Sequence, residues 1–303
     1  MFDPRSSYHR RMWHYESGSP LSVAQLISLG SLDAATAALL WLLVGHHQSL
    51  IVSGPTDPTP GVGKTTTLNA LLGFLPGGST LVYTVGMYEE FDFTAEVDPE
   101  ATCVLANEVS DHLPIYMWGK VARRLLQLPE QGFAVATSCH ADTVSDVLRM
   151  LRRDLRVPES HIRRLGVIIN IGLVGRLWPP RRRFLTVNFL RPAQIAQPPE
   201  TAAGQAGAGG TNHGVDLVPL VSWDAATDSF IPPSPAKLED VACALEIDPA
   251  EFSRQLQERT ELMRTLADGR GVGVSAMRTA LEEYLATPPH QPFHPGDVTD
   301  PLE

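Results

Sequence analysis

The feature that most limits what this chain can fold into is a glycine-rich phosphate motif with four extra residues inside it. The segment reads Gly54-Pro55-Thr56-Asp57-Pro58-Thr59-Pro60-Gly61-Val62-Gly63-Lys64-Thr65-Thr66. The pattern G-x-x-x-x-G-K-[ST] is met at its end by Gly63-Lys64-Thr65, but its first glycine position falls on Pro58. Without Asp57 to Pro60 the pattern is complete from Gly54. Ser49 to Ser53 is β-rich, and Lys64 to Leu75 is compatible with a helix. Strand, loop and helix start in that order are the context the motif requires, and they predict an α/β fold.

The residue types carry a definite chemistry. Backbone N–H groups at a helix start, with the helix dipole behind them, attract a polyanion. Gly54, Thr56, Gly61, Val62, Gly63, Lys64, Thr65 and Thr66 are the expected ATP-binding residues. Lys64 would reach the β- and γ-phosphates, and the Thr65 hydroxyl would hold Mg²⁺. The insertion opposes this. Its prolines fix φ and remove N–H donors, and Asp57 repels phosphate. Either the insertion bulges outward and leaves the cradle whole, or it spoils the cradle; the sequence leaves both open.

Further along the 303 residues, β-rich and helical runs alternate. They fall at Thr80–Val85, Ala101–Ala106, Pro114–Leu128, Phe133–Ser138, Thr143–Leu155, Val167–Val174 and Phe184–Leu190. Such alternation predicts a mostly parallel sheet. The expected divisions are a tail at 1–19, an α/β domain at 20–192, an Ala/Gly-rich linker or loop at 193–215, a hairpin and helices at 216–287, and a disordered tail at 288–303. Ala34 to Val44 is too short to span a bilayer and reads as a buried helix. Three cysteines without a C-x-x-C pair argue against a zinc module or a disulfide framework, and fit a reducing compartment. A net charge of −10 lacks the global basic signature of nucleic-acid binding. Arg149, Arg152, Arg153, Arg163, Arg164 and Arg181 to Arg183 make the middle locally basic, without interleaved stacking aromatics.

ATP hydrolysis also needs a carboxylate beside the attacking water. Thr102 to Glu108 reads as a buried strand with an acid at its C-terminal end, where ligand chemistry sits in a parallel sheet. Glu108 is the candidate base. The next strand ends at Cys139-His140-Ala141, which puts His140 on the same edge.

Together these residues resemble the motor domain of type II/type IV secretion ATPases, with the archaellum and pilus-assembly branch closest. The resemblance runs over Leu21 to Glu108 and Gly132 to Arg183. It rests on Pro20 to Ile27, Ala38 to Leu43, Lys64 to Leu71, Asn107-Glu108-Val109 against the family's G-E-[VI]-R, and Ser138-Cys139-His140-Ala141 against its T-x-H-A box. It implies a RecA-like P-loop core in a hexameric ring, ATP and Mg²⁺ between subunits, and a membrane platform protein as partner. It also implies a cytoplasmic location, peripheral at the inner face of the cell membrane. Lys64 would then hold phosphates, Glu108 act on water, His140 sense the γ-phosphate, and Glu89 stand in for the family's acidic box after the second strand.

The departures are equally informative. Val85-Gly86 stand where that box has its acidic pair, leaving Glu89 or Glu90. Asn107 and Ser110 replace the Gly and Arg of G-E-[VI]-R. The segment before Pro20 is too short for the family's N-terminal domain, with only Arg10 and Arg11 resembling its end. Two functions are therefore expected: an ATP-hydrolysing assembly motor, or a degenerate paralogue that serves as a structural or regulatory ring component.

Overall fold

The computed structural model describes residues 20–55, 61–175, 179–191 and 215–286. The inserted Asp57 to Pro60, Thr56, Arg10 and Arg11 lie outside these residues, as do both expected tails and nearly all of the expected linker. Two helices lead in: α1 (Val23–Ser28) and α2 (Ala34–Gly45). Then follow β1 (Leu50–Gly54), α3 (Lys64–Leu72), β2 (Thr80–Tyr83), β3 (Thr102–Val109), α4 (Gly119–Gln127) and β4 (Ala134–His140). After them come α5 (Val144–Arg149), α6 (Glu159–Ile162), β5 (Val167–Val174) and β6 (Arg181–Arg191). The chain closes with β7 (Asp216–Asp224), β8 (Ser229–Ile231), α7 (Pro235–Ala244), α8 (Pro249–Ala267) and α9 (Val274–Ala286).

The eight strands form one sheet in the order β2-β3-β4-β1-β5-β6-β7-β8. The pairings from β2 through β5 are parallel, and those from β5 through β8 antiparallel. The parallel strands are apolar on both faces, as sheets covered twice must be. On β1, Leu50 and Val52 enter one core cluster while Ile51 enters the other. Leu68 and Leu71 of α3 cover the first face, and Val144 and Val147 of α5 cover the second.

Two boundaries differ from the sequence reading, each for a visible reason. Helix α4 begins at Gly119 and not at Pro114, because residues 114–118 run beside the end of β3. There Met117 N–H donates to the Glu108 carbonyl at 2.9 Å, and Ser110 N–H donates to the Met117 carbonyl at 3.0 Å. The helical run from Thr143 keeps its α form only to Arg149, then widens into a π turn at Met150–Asp154.

Helix α2 is apolar nearly all round, and Ala34 is its first residue because the Asp33 side chain caps it, accepting from Thr36 N–H at 2.8 Å. Its Trp41 stacks on Phe74 (5.8 Å between ring centroids), tilts against Tyr284 (5.1 Å) and lies under the Arg259 guanidinium (4.5 Å). Helix α8 carries Arg259 and starts where the Asp248 side chain accepts from Ala250 and Glu251 N–H. The C-terminal hairpin continues the sheet, and Phe252, Met263 and Leu281 share one cluster with α2. Among the described residues no helix is long and apolar enough to cross a membrane.

Trp41 joins the N-terminal helices to α8 and α9 at almost complete burial (1 % exposed). Trp41→Ala is expected to cost about 3–5 kcal/mol, seen in urea melts as a lower midpoint with an unchanged slope.

Candidate functional site

Strands β1 and β4 are hydrogen-bonded neighbours, yet the chain leaves them in opposite directions. From β1 it passes to β2 at the far edge, and from β4 it crosses to β5 on the other side of β1. The C-terminal ends of two such strands frame the crevice where α/β sheets bind ligands. Gly54 and His140 face each other there in register.

Glycine is required twice at this point. A Cβ on Gly54 would come within 2.8 Å of the Ile171 carbonyl oxygen. Gly63, at φ 95°, turns the chain into α3 through the left-handed region, which other residues rarely adopt. No side chain caps α3, so the N–H groups of its first turn are not taken up by a side-chain oxygen at the cap. Gly61, Val62, Gly63, Lys64, Thr65 and Thr66 all line a cavity of about 560 Å³. This volume is within the range of small-molecule sites.

Lys64, His140 and Glu108 meet in that cavity. Lys64 Nζ is 3.1 Å from His140 Nδ1, and His140 Nε2 is 2.7 Å from Glu108 Oε1. A bulge between Ala106 and Val109 aims Glu108 here, since the register of β3 on β4 shifts across it. Glu108 is buried, and its Oε1, although close to the imidazole, has no partner in acceptable hydrogen-bond geometry. Burial pushes the Glu108 carboxyl above the usual carboxylate range, against the opposing pull of Lys64, Ser110 and His112. A dehydrated carboxylate with an unsatisfied oxygen suits accepting a proton from a bound water. Cys139, next to His140, is fully buried and its thiol is pushed up to about 12 by that burial, which leaves it without thiolate character.

Glu89 is not brought to this site. It does not line the cavity, and its carboxylate closes the loop after β2, accepting from Val85 N–H and Phe91 N–H at 2.9 Å each. Its oxygens are spent on backbone donors that this loop would otherwise leave unpaired. Gly54 lies on the strand below the cavity lining, beside Pro55, which does line it.

Three contributors to the surroundings went unrecognised in the sequence. Arg182 lines the cavity and donates from Nε and Nη2 to the Gly61 carbonyl at 3.2 and 2.8 Å. Tyr116 also lines it. His112 stands edge-to-face with the His140 ring at 5.3 Å. Arg183, beside Arg182 on β6, lines the cavity too. Four of the arginines in the locally basic stretches are held in ion pairs: Arg149 with Asp146 and Arg152 with Glu159 at 2.6 Å each, and Arg181 and Arg183 with Asp228.

No family model matches this chain. A 62-residue stretch is 44% identical to an uncharacterized protein of Methanocaldococcus jannaschii, covering 20% of this chain and 10% of that protein. Among solved structures, the VirB11 ATPase of the Brucella suis type IV secretion system, in complex with sulphate, aligns over 58% of each chain at 19% identity and a TM-score of 0.35. The chain therefore spans a tenth of the first protein's length and under two thirds of the second's.

The raised carboxyl of Glu108 fixes the sign of a pH effect. A folded-state carboxyl that holds its proton more tightly than the unfolded one makes stability fall as pH rises from the ordinary carboxylate range through the folded value. Urea melts across that window should show Glu108→Gln losing less stability than wild type as pH rises; parallel curves would mean the carboxyl is not perturbed.

Proposed function

We propose that this chain binds ATP in the β1–β4 crevice and hydrolyses it, as a motor subunit of a secretion, pilus or archaellum-like assembly system. The observation that carries the reading is the convergence of Lys64, Glu108 and His140 on one cavity beside the uncapped start of α3. Lys64 leaves His140 and binds the phosphates, the stronger partner for an ammonium. The first-turn N–H groups of α3 cradle the same anion. Glu108 accepts the proton of the attacking water, and its dehydration raises its basicity for that task. His140, released by Lys64, donates toward the terminal phosphate and orients Glu108. Leu21, Leu26, Leu29 and Phe184 form an apolar wall able to receive the base.

The residues fit Mg²⁺ as well. Thr65 lines the cavity at the helix start, and its hydroxyl would hold the ion while Mg²⁺ neutralises phosphate charge. The RecA-like assignment, the hexameric ring and the membrane platform partner belong to the same proposal, as does the peripheral cytoplasmic location. So do the boundaries of the α/β domain at 20–192 and of the C-terminal region at 216–287.

One observation favours the second reading, a hydrolysis-deficient ring component. Glu89 is tied to its own loop, so Glu108 is the one carboxylate among the described residues that lines the cavity. Two measurements separate the readings. A fluorescent ATP analogue should bind wild type and lose at least about tenfold in affinity with Lys64→Ala, the loss of a charged phosphate contact; equal binding would overturn the site. Phosphate release should fall by about a hundredfold or more in Glu108→Gln with analogue binding retained. Wild type that binds but releases no phosphate, alone or with a candidate platform protein, would establish the ring component.

A further inference from the structure

Glu108, His112 and His140 each offer one ligand atom, and these atoms lie within 4.8 Å of one another. Two imidazoles and a carboxylate are a donor set for zinc and its neighbours, not for magnesium, which prefers oxygen. An ion bonded at 2.0–2.2 Å would draw such atoms to about 3.3 Å apart. His112 is exposed and on a loop, so its side chain can turn to close that difference. Two further features point to a ligand here. Glu108 Oε1 is buried and faces this cluster, 2.7 Å from His140 Nε2 but out of line for a hydrogen bond with it. Ser110 Oγ, meanwhile, bonds His112 Nδ1, which orients that ring.

We infer that Glu108, His112 and His140 form a binding site for a divalent transition-metal ion, different in ligand chemistry from the expected Mg²⁺ contact at Thr65 in the same cavity. The site has three protein ligands and an open coordination position toward the cavity. Lys64 governs its occupancy. An ammonium can only donate, so its 3.1 Å contact makes His140 Nδ1 the acceptor and puts the proton on Nε2, the nitrogen nearest Glu108. That tautomer cannot ligate through Nε2. When Lys64 turns away, Nδ1 takes the proton and Nε2 presents its lone pair. Removing Lys64 therefore strengthens the metal site while it destroys a phosphate site. An ion held there also occupies the carboxylate and imidazole that hydrolysis needs, so the site acts as a brake. This last consequence rests on the proposed ATPase; the metal site itself does not.

Cobalt(II) reports on the site directly, through visible absorption bands whose intensity marks a low-coordinate N/O environment. The wild-type chain should bind one Co²⁺ with such bands, and His112→Ala should weaken binding at least tenfold while keeping affinity for a fluorescent ATP analogue. Lys64→Met should bind Co²⁺ more tightly than wild type. Wild type with no bands at millimolar Co²⁺, His112→Ala indistinguishable from wild type, or Lys64→Met binding more weakly would each overturn the inference. Analogue binding is scored on the same samples, so loss of the nucleotide reading and loss of the metal site are read separately.

Discussion

Five parallel strands that are apolar on both faces have to be covered twice, and the site follows from how this chain does it. Right-handed crossovers fix which face each connection takes once its direction along the sheet is chosen. Helix α3 carries the chain outward from β1 over one face, and α5 carries it from β4 over the other. The two connections diverge above the adjacent strand ends at Gly54 and His140. The crevice is thus a by-product of burying Leu50, Val52, Ile51 and their neighbours. Only the residues that rim it are specific to chemistry.

Within the rim, the dehydration of Glu108 organises the rest. A buried carboxylate needs nearby positive charge or donors. Lys64, Ser110 and His112 all pull against the effect of its burial, and His140 lies between the lysine and the acid. Lys64 contacts that imidazole in this structure, and under the proposed function a bound polyanion would compete for the lysine.

What was legible in the sequence were features with short-range causes. β1, β3, β4 and β5 announced themselves as apolar runs, and Gly63-Lys64-Thr65 marked the turn into α3. Glu108 and His140 could be placed side by side because residues that end parallel strands share one edge. What was not legible depended on loops folding onto other segments. Glu89 looked like a site acid, but Phe91 turns back at φ 62° with its ring buried, and that geometry brings its N–H onto the Glu89 carboxylate. His112 and Tyr116 reach the site only because Met117 pairs with the end of β3, a pairing that residues 110–118 give no periodic sign of.

The arginine triplet shows how far the C-terminal segment reaches into the site. The triplet makes this part of the chain locally basic, but a strand alternates its side chains. Arg183, buried, is held by Asp228 at 2.9 and 3.0 Å, and Arg181 by the same carboxylate at 2.6 Å. Hydrogen bonds from Arg183 and Trp223 hold the Asp228 carboxyl well below its usual range. Arg182 points the other way, to the Gly61 carbonyl. The next residue, Phe184, donates its N–H to the Ser31 carbonyl at 2.8 Å and completes the cavity wall with Leu26 and Leu29. The β7–β8 turn thus anchors β6, and β6 in turn positions both the glycine loop and the apolar wall. The hairpin is part of the apparatus that shapes the cavity, which is why it is continuous with the parallel sheet.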